Sequence, residues 1–378
     1  MKKITVSLLL MLLASTGAYA QVNDQLNPIL TGVPSLTIAP DARAGAMGDA
    51  GAATMPDVNS QHWNAAKYVF MESDGGVGLS YTPWLRELVG DINLAYLAGY
   101  YKIAPNQAVS ASLRYFSLGD VTMTGEGNPP QVLGDAKPNE FAIDVAYSLL
   151  LSENISGAVT LRYIRSDLNI SSMDNNNTYT PANAIAADIA AYYKTLVPMA
   201  NGDADLAFGA GLSNIGSKIS YDDNNTSTFL PTNFRLGGSF GYPFDEYNKI
   251  SINADINKLM VIRKPQAEET SKEMQDYYST SGVGAIFQSF GEFSADDITY
   301  SLGAEYSYQD QFFLRAGYFH ESEVAGNRRF YTMGAGFKMN VFSIDAGYVI
   351  AAAQTSPLDN TLRFSLSFNL DGLRGLMQ

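Results

Sequence analysis

The stretch Arg329-Phe-Tyr-Thr-Met-Gly-Ala-Gly-Phe-Lys-Met339 decides the fold of this chain, because large apolar residues alternate in it with small or polar ones. The larger side chains share one face of an extended backbone: Tyr331, Met333, Ala335, Phe337 and Met339. A two-residue period is the period of a β-strand. The same pattern returns at residues 342–350 and 361–370. The end of the chain is therefore predicted to form consecutive β-hairpins.

The second face of these strands is unusual for a soluble protein. It carries Gly, Ser and Ala with isolated charges, where a soluble β-sandwich would carry Lys, Glu and Thr. Such a face suits the inside of a closed barrel whose apolar face meets outer-membrane lipid. Similar alternation starts near residue 77, so residues 71–378 are predicted to be a single antiparallel transmembrane β-barrel of about 14 strands, an all-β membrane protein.

The predicted connections are alternately short and long. Tight turns are expected at 104–107, 151–153, 198–202, 244–247, 309–311 and 340, and long polar connections at 119–139, 169–182, 216–232 and 261–297. Short periplasmic turns that alternate with longer outer loops are typical of outer-membrane barrels. A large secreted all-β protein is the alternative, and it gives no reason for this sorting. A short helix is expected within residues 265–278, above the barrel.

The N-terminal part has a different character. Lys2 and Lys3, an apolar run and the small residues of Ala18-Tyr19-Ala20 predict a signal peptide over residues 1–20. Removing these two lysines takes the formal charge from −14 to −16, which argues against nucleic acid as a partner. Residues 21–70 lack alternation and are predicted to fold into or under the barrel lumen, with short helices near 43–50 and 64–70. No later stretch is apolar enough for a transmembrane helix, which leaves a barrel as the structure that can span a membrane.

Charged residues on the predicted inner face allow two interpretations. They are Arg114, Asp144, Arg162, Asp188, Arg235, Glu305, Arg315, Lys338, Asp345 and Arg363. Such residues line a conducting pore or form ion pairs within a plugged lumen. The glycine-rich inner face favours the plugged lumen, because it leaves room for packed protein.

Apolar residues in the long loops are the candidate partner-binding site. The nominated residues are Val132, Leu133, Phe229, Leu230, Phe287 and Phe290. An apolar side chain that faces water gains free energy when a partner buries it. The alternative is that the loops pack on each other as a lid.

The chain offers little for catalysis. It has no Cys and only two histidines, His62 and His320, so no enzyme, cofactor or metal site is predicted. His320 precedes Glu321 and Ser322, but adjacent residues on a strand point to opposite faces, which prevents a triad.

Several stretches resemble one family. The run Asp41-Ala-Arg-Ala-Gly-Ala-Met-Gly-Asp-Ala-Gly-Ala-Ala-Thr54 and the run Asp57-Val-Asn-Ser-Gln-His-Trp-Asn-Ala-Ala-Lys-Tyr-Val-Phe70 are similar to the PorV family, the shuttle component of the type IX secretion system. The resemblance continues through Ser80-Tyr-Thr-Pro-Trp-Leu-Arg-Glu-Leu-Val89 and reaches the last strand. The Asn64-Ala65 pair departs from the Asn-Pro of the wider fatty-acid-transporter-like family, which bears only on the local turn.

The resemblance implies a cell outer-membrane barrel of fourteen strands and a non-enzymatic role in protein secretion. It implies binding of the C-terminal signal domains of exported cargo at the type IX translocon and delivery to the surface attachment and sortase complex. A fatty-acid-transporter-like channel for hydrophobic small molecules is the alternative function.

Overall fold

A computed structural model describes residues 27–86, 90–125, 131–168, 180–221, 227–268, 270–292, 294–352 and 358–372. The predicted signal peptide, residues 1–20, lies outside this range. Among the described residues, no helix is long and apolar enough to cross a membrane.

Fourteen strands form one closed barrel. They are β1 Gly75–Pro83, β2 Ile92–Ala104, β3 Gln107–Leu118, β4 Asn139–Ser152, β5 Ile155–Asp167, β6 Ala182–Met199, β7 Gly202–Gly216, β8 Asn233–Pro243, β9 Asn248–Leu259, β10 Ile298–Tyr308, β11 Phe312–His320, β12 Arg329–Lys338, β13 Phe342–Ala351 and β14 Leu362–Asn369. Each strand is antiparallel to its neighbours in the sequence, and β14 pairs with β1 to close the barrel, with Leu366 opposite Leu79. The predicted barrel is confirmed.

Shorter elements lie between and before the barrel strands. The helices are α1 Ala42–Gly45, α2 Ser60–Trp63, α3 Lys272–Ser279 and α4 Gly282–Gly291, with 3-10 turns at Pro34–Thr37, Ala65–Phe70 and Ala295–Asp297. Two small hairpins join Val121–Thr124 to Val132–Ala136 and Ile219–Ser220 to Ser227–Thr228. The helix expected within 265–278 begins only at Lys272, because Ser271 caps it by accepting the backbone N–H of Met274. The helix α4 was not expected.

Two rings of aromatic residues mark the lipid-facing surface. The outer girdle, near the long connections, includes exposed Tyr81, Tyr115, Tyr163, Tyr300 and Tyr331. The inner girdle, near the short turns, includes exposed Tyr101, Tyr147, Phe208, Tyr306 and Phe312. Aliphatic side chains such as Val145 and Leu161 lie between the girdles and are also exposed. Aromatic rings prefer the boundary between headgroups and acyl chains, so the girdles give the height of the membrane on the barrel.

This arrangement predicts that the cost of a charge on the wall depends on its height. Leu161 lies at the middle of β5 and Leu151 lies beside the turn that follows β4, and both are exposed on the outer surface. We expect Leu161→Arg to destabilise the barrel by about 2–4 kcal/mol and Leu151→Arg by about 0–1 kcal/mol. Urea unfolding of each variant in lipid vesicles measures the difference. Equal losses would contradict the placement of the membrane between the two girdles.

Candidate functional site

The segment from Pro34 to Phe70 fills the middle of the barrel and is called the luminal segment below. Helix α1 packs against β12, β13 and β14, and the 3-10 turn Ala65–Phe70 packs against β2 to β6 on the opposite side. Its small residues are completely covered: Ala42, Ala46, Ala50, Ala53 and Ala66. The segment therefore crosses the lumen from one wall to the other, as a plug would.

Glycines on the inner face of the wall let the backbone of the luminal segment approach closely. A Cβ at Gly209 would overlap the carbonyl oxygen of Ala52, and a Cβ at Gly317 would overlap the backbone of Met47 and Gly48. Gly303, Gly334 and Gly347 likewise face Met47, Ala46 and Ala42. Because the obstacles are mainly backbone atoms, they cannot rotate away from an added methyl group. The glycines thus form a seat shaped for this segment.

Polar wall residues hold the backbone of the segment. The Asp255 carboxylate accepts the N–H groups of Gly51 and Ala52 at 2.7 and 2.8 Å. The Thr332 hydroxyl accepts the N–H of Gly48 at 2.8 Å. These wall groups accept hydrogen bonds from backbone N–H groups that burial in the lumen has removed from water. Without such acceptors, the buried N–H groups of an irregular segment would destabilise the fold.

Ion pairs tie the luminal segment to the wall. The Arg43 guanidinium donates to both oxygens of the Glu305 carboxylate, at 3.0 and 2.9 Å, and Glu305 also accepts from Arg315 at 2.6 Å. On the other side of α1, Arg363 donates to Asp49 at 2.7 Å. Bidentate pairing of this kind fixes orientation as well as charge.

A second charge network lies within the wall itself. Arg162 donates to Asp144 and Asp188, with shortest distances of 2.6 and 3.0 Å, and also to Asn214. Arg235 lies over the Trp63 ring, 4.8 Å from its centroid, and donates to Asn257 at 2.8 Å. The prediction of an ion-paired, plugged lumen is confirmed for most of the nominated inner-face residues. Arg114 and Arg235 differ, since they donate to backbone carbonyls of the luminal segment. Lys338 also differs, since it is exposed at the inner end of β12.

Two cavities flank the luminal segment, and they share no lining residue. The inner cavity, of about 420 Å³, is lined by Lys194, Asp205 and Lys249 together with residues near the short turns. The outer cavity, of about 370 Å³, lies under the long loops and combines apolar residues such as Leu259 and Phe319 with Arg235. The luminal segment stands between them.

The structure corrects the expectation that Phe229 and Leu230 face water. Phe229 is only 1% and Leu230 only 2% exposed. Phe229 belongs to a core between the long loops, called the outer-loop cluster, which consists of Phe229, Val261, Ile262, Met274, Tyr277 and Ala285. Leu230 packs in a neighbouring core with Val33, Leu36 and Ile219. Contacts between loops bury Phe229, as the lid interpretation requires. Leu230 is buried instead against the N-terminal part of the chain and the inner face of the wall, including Ala142 and Ile164.

A lysine seals the outer-loop cluster. The Lys218 ammonium lies 4.3 Å from the Phe229 ring centroid and 4.9 Å from that of Tyr277, and it donates to the Tyr277 carbonyl at 3.0 Å. Burial among these rings lowers the pKa of Lys218. The cluster is therefore a packed apolar core that Lys218 covers through cation–π contacts and a hydrogen bond.

The other nominated loop residues are not brought together. Val132 is 64% exposed on the hairpin of residues 121–136, whereas Phe287 and Phe290, 74% and 59% exposed, lie on α4. Leu133 follows Val132 in that hairpin, and its side chain lies outside the described part of the structure. Partner binding by these residues stays a prediction.

The two histidines are separated. Arg114 donates from Nη2 to His62 Nδ1 at 2.9 Å within the lumen, and His320 Nδ1 lies 3.3 Å from the Tyr318 hydroxyl on the wall. Within the described residues, no group of three or more His, Asp or Glu side chains is arranged to hold a metal ion.

Sequence reasoning missed the residues that hold the segment in place. Asp255 was not among the nominated inner charges, although it lies on the polar face of an alternating strand. Its position next to apolar residues of β9 could have signalled an inward carboxylate. The choice of which wall glycines meet the segment had no signal in the sequence.

Comparison with known proteins fits this architecture. The sequence profile of the family described as Type IX secretion system protein PorV matches residues 21–266. The chain belongs to the PorV family. No curated protein sequence matches it at a significant level. As a closed barrel of this family, the protein resides in the outer membrane.

Solved structures share the fold at low identity. A deltaS2S3 mutant of the monoaromatic hydrocarbon channel TodX is 12% identical with a TM-score of 0.54, covering 87% of this chain and 98% of that one. The Pseudomonas putida toluene transporter TodX is 11% identical with a TM-score of 0.50, covering 91% and 99%. A Pseudomonas aeruginosa FadL homologue is 13% identical with a TM-score of 0.44, covering 90% and 99%. At such identities the likeness to TodX shows the fold alone.

The glycine seat predicts unequal effects of two identical substitutions on β7. In Gly209→Ala, the new methyl group overlaps the Ala52 carbonyl, so we expect a loss of about 1–3 kcal/mol from overpacking. In Gly211→Ala, on the same face, the nearest atom is the Ile189 carbonyl oxygen at 3.4 Å, which is an ordinary contact, and we expect little change.

Urea unfolding in detergent measures both variants, and limited proteolysis reports whether the luminal segment has become accessible. If Gly211→Ala proved as damaging as Gly209→Ala, the loss would come from the strand itself and the seat would not be its cause.

Proposed function

We propose that this protein is a shuttle of the type IX secretion system, which receives exported proteins at the translocon by their C-terminal signal domains and delivers them to the surface attachment and sortase complex. Membership of the PorV family supports a role in secretion. The observation that carries the finer proposal is the filled lumen. A barrel occupied by its own ion-paired segment is suited to act through its surface.

The dimensions of the cavities support this view. A folded signal domain is far larger than a cavity of about 420 or 370 Å³, which would hold a small molecule. The luminal segment is also anchored by buried charge pairs whose disruption costs about 3–5 kcal/mol each. Handling of cargo is therefore proposed to take place outside the barrel, with no enzymatic step.

The exposed hairpin of residues 121–136 is the proposed contact surface. Val121 and Val132 are 47% and 64% exposed there, whereas Phe229 and Leu230 are buried. Burying an exposed valine at an interface stabilises a complex by about 1.5 kcal/mol. Two such valines would thus contribute a useful part of the affinity for a partner.

A channel for hydrophobic small molecules is the second candidate. The apolar part of the outer cavity favours it, because Leu259, Phe319 and Phe330 would accept an apolar ligand. Passage across the membrane would require the luminal segment to move or the wall to open. The fold shared with TodX is compatible with this candidate, but a shared fold does not identify a substrate.

Deleting the gene separates the two candidates. The shuttle predicts that proteins with C-terminal signal domains are no longer exported and attached, while the uptake of hydrophobic compounds is unchanged. Normal export with lost uptake would reverse the ranking. Secretome analysis of the deletion strain beside the complemented strain measures export.

A double substitution tests the contact surface. We expect Val121→Ser with Val132→Ser to insert normally and to reduce recovery of cargo in pull-down by about tenfold, the effect of roughly 1.4 kcal/mol. The matched control is Ile103→Ser with Leu151→Ser, which removes two exposed apolar residues at the periplasmic end. Recovery at the wild-type level in both variants would place the contact elsewhere.

A further inference from the structure

Helix α4 lies against the outside of the barrel wall. Its first residue, Gly282, is so close to the end of β7 that an added Cβ would overlap the Gly216 carbonyl oxygen. At its other end, Ser289 is buried against β9, where its hydroxyl donates to the Leu259 carbonyl at 3.4 Å. The helix therefore runs along the outer rim across β7, β8 and β9.

Contact with Phe234 shows on which side of the wall the helix lies. Phe234 lies on the same face of β8 as the exposed residues Leu236 and Phe240, because even-numbered positions of this strand share one face. Its ring therefore points away from the lumen. The ring of Phe290 in α4 is 6.5 Å from the ring of Phe234. Phe234 also lies near the start of β8, next to the long connections. Helix α4 thus covers lipid-facing wall at its outer end.

A lysine on the wall supports the same placement. Lys258 lies on the same lipid-facing side of β9 as the exposed residues Ile252 and Ile256, and it is paired with Phe234 in the sheet. Its side chain is nevertheless only 8% exposed. Its ammonium donates to the Ser289 carbonyl at 2.9 Å and to the Ser289 hydroxyl at 2.6 Å. A charge on the lipid-facing row is costly without such partners. Helix α4 supplies them and shields the charge.

The free face of α4 is apolar. Val283, Phe287 and Phe290 are 51%, 74% and 59% exposed, and their spacing of four and three residues places them in one stripe. The opposite face, with Ala285, Ile286 and Ser289, is buried. No charged residue occurs between Gly282 and Gly291.

We propose that α4 is an interfacial helix that inserts Val283, Phe287 and Phe290 into the outer leaflet of the membrane. The partner of the stripe is the membrane, at the boundary between lipid headgroups and acyl chains. The stripe extends the lipid-facing surface of the wall beyond Phe234, which is the last residue of that surface on β8. Two exposed phenylalanines at this height lose contact with water when they enter the leaflet. The helix would then hold the longest loop down on the membrane surface.

The absence of cysteine in the chain makes the test direct, since a single introduced cysteine carries the only label. The full mature protein is reconstituted into vesicles of phosphatidylcholine and phosphatidylethanolamine, with a nitroxide at Phe287→Cys or Phe290→Cys. Power saturation compares collisions with oxygen, which is enriched in lipid, and with a water-soluble nickel chelate. Both labels are expected to favour oxygen several-fold, as the wall control Leu236→Cys does.

Two control positions should behave in the opposite way. Gln288→Cys lies on α4 outside the stripe, and Val132→Cys lies on the exposed hairpin, so both should favour the nickel chelate. If Phe287 and Phe290 matched Val132, the stripe would face water and the proposal would be wrong.

A pull-down in detergent distinguishes lipid from a protein occupant. With no bilayer present, Phe287→Ser with Phe290→Ser is expected to recover cargo and translocon at wild-type levels. A loss of recovery would assign the stripe to a protein partner and overturn the proposal. The result is separate from the shuttle function, which is tested by the hairpin variants and the gene deletion.

Discussion

Close approach between the luminal segment and a wall of glycines is the constraint on which the rest of the structure depends. The backbone near Met47 meets β10 and β11 at Gly303 and Gly317, where a side chain would have no space. A barrel of fourteen strands is wide enough to leave a channel if its lumen holds only side chains. Here the small inner face admits a whole peptide segment instead, and the fold becomes a filled barrel.

Filling the lumen creates a demand for polar partners, and the charged inner face meets it. Buried carboxylates and guanidinium groups of the lumen gain opposite charges or backbone groups in place of water, as with the Asp255 oxygen that accepts from Gly51 and Ala52. Removing one member of such a set leaves another buried and uncompensated, which is why these contacts are difficult to exchange singly. The same network explains how a chain with a formal charge of −14 can have so many acids away from water.

The outer end of the barrel divides its apolar residues between three environments. Phe229 and Leu230 are buried within the structure, Val132 faces water, and Phe287 and Phe290 extend the apolar wall. A residue in a loop carries no periodic pattern, so its neighbours depend on how separate loops fold together. This division links the fold to function, since only surface that is free of both loops and lipid is available to a soluble partner.

The sequence by itself determined the wall, its strand number and the sorting of its connections, because a two-residue period ties each side chain to one face through local geometry alone. The family was indicated separately, by the resemblance of the runs within residues 41–70. The sequence also indicated a plugged lumen from glycine and charge on that inner face. Only the tertiary structure decided that Phe229 is buried, that Gly209 meets Ala52 while Gly211 does not, and that α4 lies outside the wall. Those facts arise from contacts between residues far apart in the chain, and no local pattern encodes them.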